Sequence, residues 1–259
     1  MCFILLGINA HPNYPLILAA NRDEFYARPT QAAEFWQENP NILAGRDLQA
    51  GGTWLGINRA GRIAALTNFR NPGSHDPSRA SRGHIVTGWL NSNKSTEEYL
   101  GNLDSSAIKY NGFSLLAGDL ENIYFYSNRS NEKPQLLTQG IYALSNHLLD
   151  TPWSKSIVGK QQFENIMSSN KENMTSDLLE LLSDKTQAPD ENLPTTGVGI
   201  ELERSLSSIF IETPDYGTRC STVILANQNG KIEFIERTYS DKNSNQVYYS
   251  IDKTIAMIE

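Results

Sequence analysis

The first thirty residues constrain the fold more than any other part of this sequence. An apolar run, Cys2–Ile8, is followed by a second apolar run over residues 16–20, and a short segment rich in proline and asparagine separates the two. Two apolar runs joined by such a turn predict a β-hairpin. The second run leads directly into the polar residues 21–24, so the hairpin would bring these residues close to Cys2. The sequence therefore predicts a thiol beside charged groups at one end of a hairpin.

The position of Cys2 gives it a specific chemical role to consider. Initiator methionine is usually removed when the second residue is small, and Cys2 would then carry both a thiol and a free α-amine. A free amine has a pKa of about 7.7–8.0 and a thiol of about 8.5, so the amine can accept the thiol proton near neutral pH. The alternative is that Cys2 is a small buried hydrophobic residue at the start of a strand.

Composition narrows the class of protein. The chain has 259 residues, 39% of them hydrophobic, which is enough for a sizeable core, and we expect one domain over residues 1–259. The formal net charge is −7 and there is no basic run, so nucleic acid is not an expected partner. A membrane helix needs about 20 apolar residues, and the apolar runs here are far shorter, so no membrane span is expected. Two cysteines do not form a disulfide framework, which favours a reducing, cytoplasmic location. The oligomeric state is left open.

The rest of the chain reads as strands, then helices, then strands again. After the first hairpin, residues 31–50 have no clear period and predict a loop with one short strand at 41–44. Paired strands are predicted in three places and helices in the middle of the chain. The predicted strand pairs are 53–58 with 62–68, 113–119 with 122–127, and 218–226 with 231–239, with single strands at 141–145 and 247–251. The predicted helices are 82–92, a short one after Ser95, one from Thr151 to 167, 175–182 and 201–209. The first of them would bury one apolar face, formed by Ile85, Val86, Trp89 and Leu90. A capping box at 95–98 would start the second, and Thr151 would be the N-cap of the third, with Pro152 as its first residue.

These elements define an α+β fold. Because hairpins join the strands, the sheets should be mostly antiparallel. Several strands, including Cys2–Ile8, are apolar on both faces and therefore need cover on both sides. The simplest arrangement is two stacked antiparallel sheets with helices outside them.

Polar residues at strand ends are the candidates for a functional site. They are Asn21, Asp23, Asn58, Asn68, Asn146 and Arg219. An amide N–H at a strand end is the kind of donor that stabilises an oxyanion, although Asn68 could equally begin the next loop. The four histidines have no metal-ligand spacing, so no metal site is predicted. Donors around a nucleophile make acyl-transfer chemistry physically plausible.

Motifs along the whole chain resemble one family. Residues 18–29 carry the sequence Asn-Arg-Asp-Glu, and further matching motifs follow in the same order: 51–58, 64–68, 81–83, 111–113, 127–129, 144–153 and 216–222. On these motifs the chain is identified as a member of the NRDE family, whose eukaryotic members are called transport and Golgi organization protein two. That family is similar to the N-terminal-nucleophile hydrolases, close to penicillin V acylase and bile-salt hydrolase. The resemblance implies a four-layer αββα sandwich.

The resemblance also implies roles for individual residues. Cys2 matches the nucleophile of the acylases, Asp23 the aspartate that holds its amine, and Asn68 the asparagine of the oxyanion hole. Asn146 resembles a second asparagine, and Arg219 resembles a late arginine that orients the aspartate and the substrate. Asn21, Arg22 and Asn58 would support these groups.

In one place the sequence departs from the acylase pattern. The acylases carry an arginine three residues before the aspartate, and that position is Ala20 here. The neighbouring Arg22 is expected to point to the face of its strand opposite Asp23 and away from Cys2. We also expect Cys220 to face away from the site.

Two functions follow as alternatives. The first is an amidohydrolase or acyltransferase that acts on a small amide, a thioester or a lipid-like acyl compound and requires no cofactor. The second is a non-catalytic protein that binds haem or another hydrophobic ligand in the same cleft, since family members are implicated in haem trafficking and lipid homeostasis. In that case Cys2 or a histidine such as His11 would ligate the iron.

Overall fold

A computed structural model describes residues 2–169, 173–240 and 244–252 of the chain. The first two strands form the predicted hairpin, with Cys2 opposite Arg22 and Ile8 opposite Leu16. The strands of the described residues are β1 (Cys2–Ile8), β2 (Leu16–Phe25), β3 (Thr30–Trp36), β4 (Asn39–Asp47), β5 (Leu55–Asn58), β6 (Ile63–Asn68), β7 (Phe113–Gly118), β8 (Ile123–Ser127), β9 (Gln135–Leu136), β10 (Gly140–Ser145), β11 (Tyr216–Ala226), β12 (Lys231–Tyr239) and β13 (Ser244–Asp252).

The strands form two antiparallel sheets. The first sheet has six strands in the order β10-β1-β2-β11-β12-β13, and the second has seven strands in sequential order from β3 to β9. The hairpin β1–β2 is therefore central in the first sheet, with β10 on one side and β11 on the other. This central position explains why β1 is buried along its whole length.

The helices lie between the strands along the chain. They are α1 (Gly83–Leu90), α2 (Thr96–Ser106), α3 (Ser154–Met167), α4 (Met174–Leu181) and α5 (Ile200–Ser205). Helix α1 buries the apolar face predicted for it, formed by Ile85, Val86, Trp89 and Leu90. Ser95 caps α2 as predicted, because its hydroxyl accepts a hydrogen bond from the backbone N–H of Glu98. The Glu98 carboxylate, the other half of the predicted capping box, accepts a hydrogen bond from Lys94 Nζ.

Three apolar clusters define four layers. One cluster lies between the two sheets and includes Ile4, Leu18 and Leu43. A second joins the other face of the first sheet to α3 and α4 and contains Phe3 and Phe163. A third joins the second sheet to α1 and α2 around Trp89. The α+β fold, with two antiparallel sheets flanked by helices, is thus confirmed.

The prediction for residues 31–50 was correct only for the short strand at 41–44, which lies within β4, and the predicted loop before it was wrong because most of that segment belongs to β3. The pairing of these strands shifts register twice, between Gln31 and Glu34 and between Phe35 and Trp36. Each irregularity reverses which residues face the core, so the alternation that marks a strand in sequence is interrupted.

The start of α3 also differs from the prediction. The helix begins at Ser154, because Trp153 occupies the N-cap position. The Thr151 hydroxyl, expected to cap this helix, instead donates to the carbonyl of Leu148 at 2.8 Å.

Candidate functional site

A cavity of about 430 Å³ contains Cys2. Its base lies where β1 begins and where β2 and β6 end, with Cys2, Asp23 and Asn68 in the lining. One wall is the loop after β4, from Asp47 to Trp54, and the other runs from His75 to Gly83. The topology therefore brings together three of the predicted site residues that lie far apart in sequence.

Cys2 shares a face of its sheet with Arg22. The two residues are direct partners in the antiparallel pairing of β1 and β2, so their side chains point the same way. That face is the one between the sheets, because the next pair on it, Ile4 and Ala20, lies in the core cluster between them. The expectation that Arg22 points away from the nucleophile was wrong, since the register was not known from the sequence. Cys2 is 7% exposed, and burial raises the pKa of its thiol.

Arg22 is held by three groups from the second sheet. Its Nη1 donates to the Thr30 hydroxyl at 2.8 Å, its Nη2 lies 3.6 Å from the Asp47 carboxylate, and its guanidinium lies 4.1 Å from the ring centre of Trp54. The side chain is 4% exposed. Arg22 thus joins the two sheets at the floor of the cavity.

Asp23 occupies the opposite face of β2. Its Oδ1 accepts a hydrogen bond of 2.8 Å from the hydroxyl of Thr218, its partner on β11. Burial raises the pKa of Asp23, and the charge of Lys155 opposes that rise. Asp23 still lines the cavity because β2 continues past the end of β1.

Asn21 connects the hairpin to the helix layer. Its amide nitrogen donates to the backbone carbonyls of Leu182 and Ile209 at 2.8 and 2.9 Å. Its amide oxygen accepts a hydrogen bond from Ser221. Every polar atom of this buried side chain is therefore engaged in holding the fold together.

Asn68 is the amide that faces the cavity. It is the last residue of β6, and within the described residues no hydrogen bond is made to or from its side-chain amide. Asn146 lies behind it and is fully buried, with its Nδ2 donating to the Asn68 carbonyl at 3.0 Å and its own carbonyl accepting from the N–H of Arg70. Asn68 is thus available as a donor, whereas Asn146 positions the segment that carries it.

Arg219 lies outside the cavity. Its Nη1 donates to the backbone carbonyls of Phe25, Tyr26 and Arg28, at 2.8, 3.2 and 3.1 Å. These carbonyls belong to the turn between β2 and β3. Arg219 therefore secures this turn and makes no hydrogen bond to Asp23, in contrast to the role inferred from the resemblance.

A β-bulge explains this change. The pairing of β11 with β2 shifts between Thr218 and Cys220, with Arg219 as the extra residue. Cys220 consequently pairs with Arg22 and shares the face of Arg22 and Cys2. The expectation that Cys220 faces away from the site was wrong, because strict alternation does not hold across a bulge. Both cysteines are free and buried.

Asn58 has a structural role at the β5–β6 turn. Its side-chain oxygen accepts from the backbone N–H groups of Ala60 and Arg62, and its nitrogen donates to the carbonyl of Leu90. Asn58 does not line the cavity.

Sequence reasoning assigned no role to Arg82 or Lys155. Arg82 lines the cavity at the start of α1, and it belongs to the Ser-Arg-Gly motif at 81–83, which was the available signal. Lys155 lies beneath the site in α3 and is 4% exposed, and burial lowers its pKa to about 8. Its Nζ donates to the carbonyl of Leu206 at 2.9 Å. A lysine one turn into a predicted helix gives no sequence signal for such burial.

The described part of the chain contains no group of three or more histidine, cysteine, aspartate or glutamate side chains able to hold a metal ion. His11 follows the far end of β1, seven residues of strand away from Cys2, and cannot share a ligand with it. Among the described helices, none is long and apolar enough to cross a membrane.

The chain resembles the crystal structure of the C2A mutant of conjugated bile acid hydrolase from Clostridium perfringens, with a TM-score of 0.50 and 10% identity over 95% of this chain and 92% of that one. The chain thus shares the fold of this hydrolase.

The sequence comparison identifies the family. The profile of the family Transport and Golgi organisation 2 matches residues 1–241, and the chain belongs to this family. The human Transport and Golgi organization protein 2 homolog is 40% identical, covering 94% of this chain and 95% of its own length. The homolog from Mus musculus is 37% identical over 95% of this chain and 96% of its own. The family membership expected from the motifs is confirmed.

Proposed function

We propose that this chain is an N-terminal-cysteine acyl-transfer enzyme, an amidohydrolase or acyltransferase, whose mature form begins at Cys2. The observation that carries the proposal is that Cys2 and Asn68 line one cavity, which thus contains a buried thiol and a side-chain amide that has no hydrogen-bond partner within the described residues. A nucleophile together with a free N–H donor is the minimal arrangement for acyl transfer. The named activity of the bile acid hydrolase with the same fold supports this chemistry.

The buried thiol needs a base. Because burial raises its pKa, Cys2 is protonated at neutral pH, and the free α-amine of the same residue would accept the proton as sulfur attacks. Sulfur forms a bond to the acyl carbon, and the carbonyl π electrons move to oxygen. The amide N–H groups of Asn68 would donate to the resulting oxyanion.

The tetrahedral intermediate then collapses to a thioester. The bond to the leaving group breaks, and the leaving group takes the proton held by the amine. Water, or an acceptor nucleophile in the case of transfer, attacks the thioester carbon and gives up a proton to the amine. The C–S bond then breaks, and the departing sulfur takes this proton to restore the thiol. Asp23, on the adjoining strand, would keep the amine oriented.

The substrate in this proposal is a small amide, a thioester or a lipid-like acyl compound. The cavity volume of about 430 Å³ lies within the range of small-molecule sites. We propose a cytoplasmic location for the protein, in keeping with its two free cysteines.

The test is to trap an acyl group on Cys2. Purified mature protein, confirmed by intact mass to lack Met1, is mixed with p-nitrophenyl octanoate and with octanoyl p-nitroanilide. The proposal predicts release of the chromophore and an octanoyl adduct that maps to Cys2 in the mature form. A variant with one extra residue before Cys2 and the variant Cys2→Ala should both show neither.

The alternative, haem binding without catalysis, makes a different prediction. If the mature and extended forms bind haemin equally and neither is acylated, the enzymatic proposal is wrong. A stable adduct formed only by the mature protein would instead exclude a purely binding function.

A further inference from the structure

Arginines and carboxylates line the cavity around Cys2, and most of them pair with each other. Arg28 lies 2.8 Å from Asp47, which also approaches Arg22 at 3.6 Å, and Arg79 lies 3.5 Å from Asp76. Arg82 is the exception among the cavity's arginines. No carboxylate of the described residues lies within 4.0 Å of its guanidinium, and a backbone carbonyl, that of Gly112, is its hydrogen-bond acceptor at 3.0 Å.

That contact places Arg82 beside the oxyanion donor. The carbonyl of Gly112 also accepts a hydrogen bond of 2.9 Å from the N–H of Phe69, the residue after Asn68. The guanidinium of Arg82 and the backbone N–H of Phe69 therefore donate to the same carbonyl oxygen, that of Gly112. Arg82 and Cys2 also line the same cavity of about 430 Å³, so one small substrate can contact both.

The backbone holds Arg82 in this position. A Cβ on Gly52 would come within 2.6 Å of the Gly83 carbonyl carbon, so the loop after β4 packs directly against the first residue of α1. This close approach needs glycine at position 52 and fixes the chain next to Arg82. A guanidinium on a fixed backbone loses little freedom when it binds a ligand.

The surroundings of Arg82 favour an anion. The side chain is half-buried, and burial lowers its pKa while the nearby Glu24 and Cys2 act in the opposite direction. A partly desolvated guanidinium with one N–H on a carbonyl keeps further donors in a planar fork that matches a carboxylate or phosphate. Charge pairs of this kind are strengthened by low local dielectric.

We infer that Arg82 binds a carboxylate or phosphate group of the acyl substrate. This inference rests on the proposed function and narrows it, because the preferred substrates are then anionic acyl compounds whose charged group lies at Arg82 while the acyl carbon lies at Cys2. Neutral amides of the same chain length are bound more weakly. Arg82 is therefore a specificity-determining residue. The reaction at Cys2 is the same as in the proposed function.

The test measures binding without turnover. In the full-length chain carrying Cys2→Ala, affinities are determined by calorimetry for N-octanoylglycine, its methyl ester and the N-octanoyl amide of O-phosphoethanolamine. The carboxylate and phosphate compounds should bind about tenfold to a hundredfold more tightly than the ester, as expected for a charge-assisted hydrogen bond. The ranking of the two anions shows which group the site prefers.

The variants assign this preference to Arg82. Arg82→Met should remove the preference and leave ester binding within about twofold, and Arg82→Lys should restore part of it. Arg79→Met is the matched control, because Arg79 lines the same cavity but is paired with Asp76. Raising the salt concentration from about 0.05 M to about 0.5 M should weaken only the anionic compounds. This salt dependence still tests the inference if Arg82→Met does not fold.

Equal affinity for the ester and the two anions in the unsubstituted Cys2→Ala protein would overturn the inference. Loss of the preference in Arg79→Met but not in Arg82→Met would also overturn it. These binding measurements require no acylation, so their outcome does not depend on that of the acyl-trapping experiment. Anion binding at Arg82 and acyl transfer at Cys2 are therefore tested separately.

Discussion

The side chain of Asn146 donates to the backbone carbonyl of Asn68 across 3.0 Å, and the backbone carbonyl of Asn146 accepts from the N–H of Arg70. These two bonds fix the segment on which the cavity-facing amide of Asn68 is mounted. Asn146 adopts a positive φ of 53°, a conformation that asparagine tolerates better than most residues. The two asparagines therefore have distinct roles, since Asn68 faces the cavity and Asn146 holds the backbone of Asn68 in place.

The first prediction separates these roles by substitution. Asn68→Ala should lower the acylation rate of Cys2 about 10²–10³-fold, as is typical for loss of an oxyanion donor, with little change in melting temperature. Asn146→Ala should reduce the free energy of unfolding by about 1–3 kcal/mol, because it leaves a buried carbonyl without a donor. Thermal denaturation and the acylation rate are measured on both variants.

The positive φ of Asn146 requires a control. Asn146→Gly removes the amide but accepts the backbone angle, so a smaller loss than in Asn146→Ala measures the backbone strain. If Asn68→Ala and Asn146→Gly lowered stability and acylation to the same extent, the division of roles would be wrong.

The second prediction concerns Arg22. Its ion pair, hydrogen bond and stacking on Trp54 are almost fully buried, so Arg22→Met should cost about 3–5 kcal/mol of unfolding free energy, as for one partner of a buried ion pair. Arg46 provides the matched control, since it also pairs with a carboxylate, Glu38, and stacks on a tryptophan, Trp36, but is more exposed. Arg46→Met should cost less than about 1 kcal/mol. Urea denaturation of both variants checks the difference, and similar losses would contradict the structural role of Arg22.

The third prediction compares the two thiols. Burial raises the pKa of both, and that of Cys220 lies well above its usual range. Cys2 lines the cavity and Cys220 does not, although both are on the same face of the sheet. Limited alkylation with iodoacetamide followed by mass mapping should label Cys2 first. Preferential labelling of Cys220 would show that the cavity does not give access to Cys2.

The sequence predicts this structure well only where side chains alternate regularly along a strand and the register of strand pairing is fixed locally. The hairpins, the N-cap at Ser95 and the apolar face of α1 depend on local patterns and were predicted correctly. The strand β3 and the ends of β4 were missed, and Cys220 was placed on the wrong face, because bulges interrupt the alternation of side chains. No local sequence signal indicates where such an extra residue lies.

The candidate site was predictable to a similar extent. Residues at strand ends, Cys2, Asp23 and Asn68, do meet in one cavity. Which strand residue pairs with Cys2 is set by the turn geometry at the other end of the hairpin, so the shared face of Cys2 and Arg22 could not be derived from the motif alone. The position of the Arg82 side chain depends on its hydrogen bond to the carbonyl of Gly112, which lies 30 residues further along the chain. No local sequence pattern indicates such a contact.

The last prediction uses the buried lysine beneath the site. Burial lowers the pKa of Lys155 to about 8, while an exposed lysine in the unfolded chain keeps a pKa of about 10.4. Between these values the unfolded chain binds more protons than the folded one, so the contribution of Lys155 to stability increases with pH. Below about pH 8 both states are protonated and the contribution is constant, at its least favourable value.

Lys155→Met should remove this dependence. The difference in unfolding free energy between wild type and Lys155→Met should shift in favour of the wild type from about pH 8 to pH 10, by up to about 1.4 kcal/mol per pH unit. Taking the difference cancels the titration of other groups. Lys160→Met, on the same helix but partly exposed and paired with Asp150, is the control and should show no such trend. If this difference in unfolding free energy did not change with pH, or changed in favour of Lys155→Met, Lys155 would stay charged in the folded protein. An ionised Asp23 nearby would have this effect.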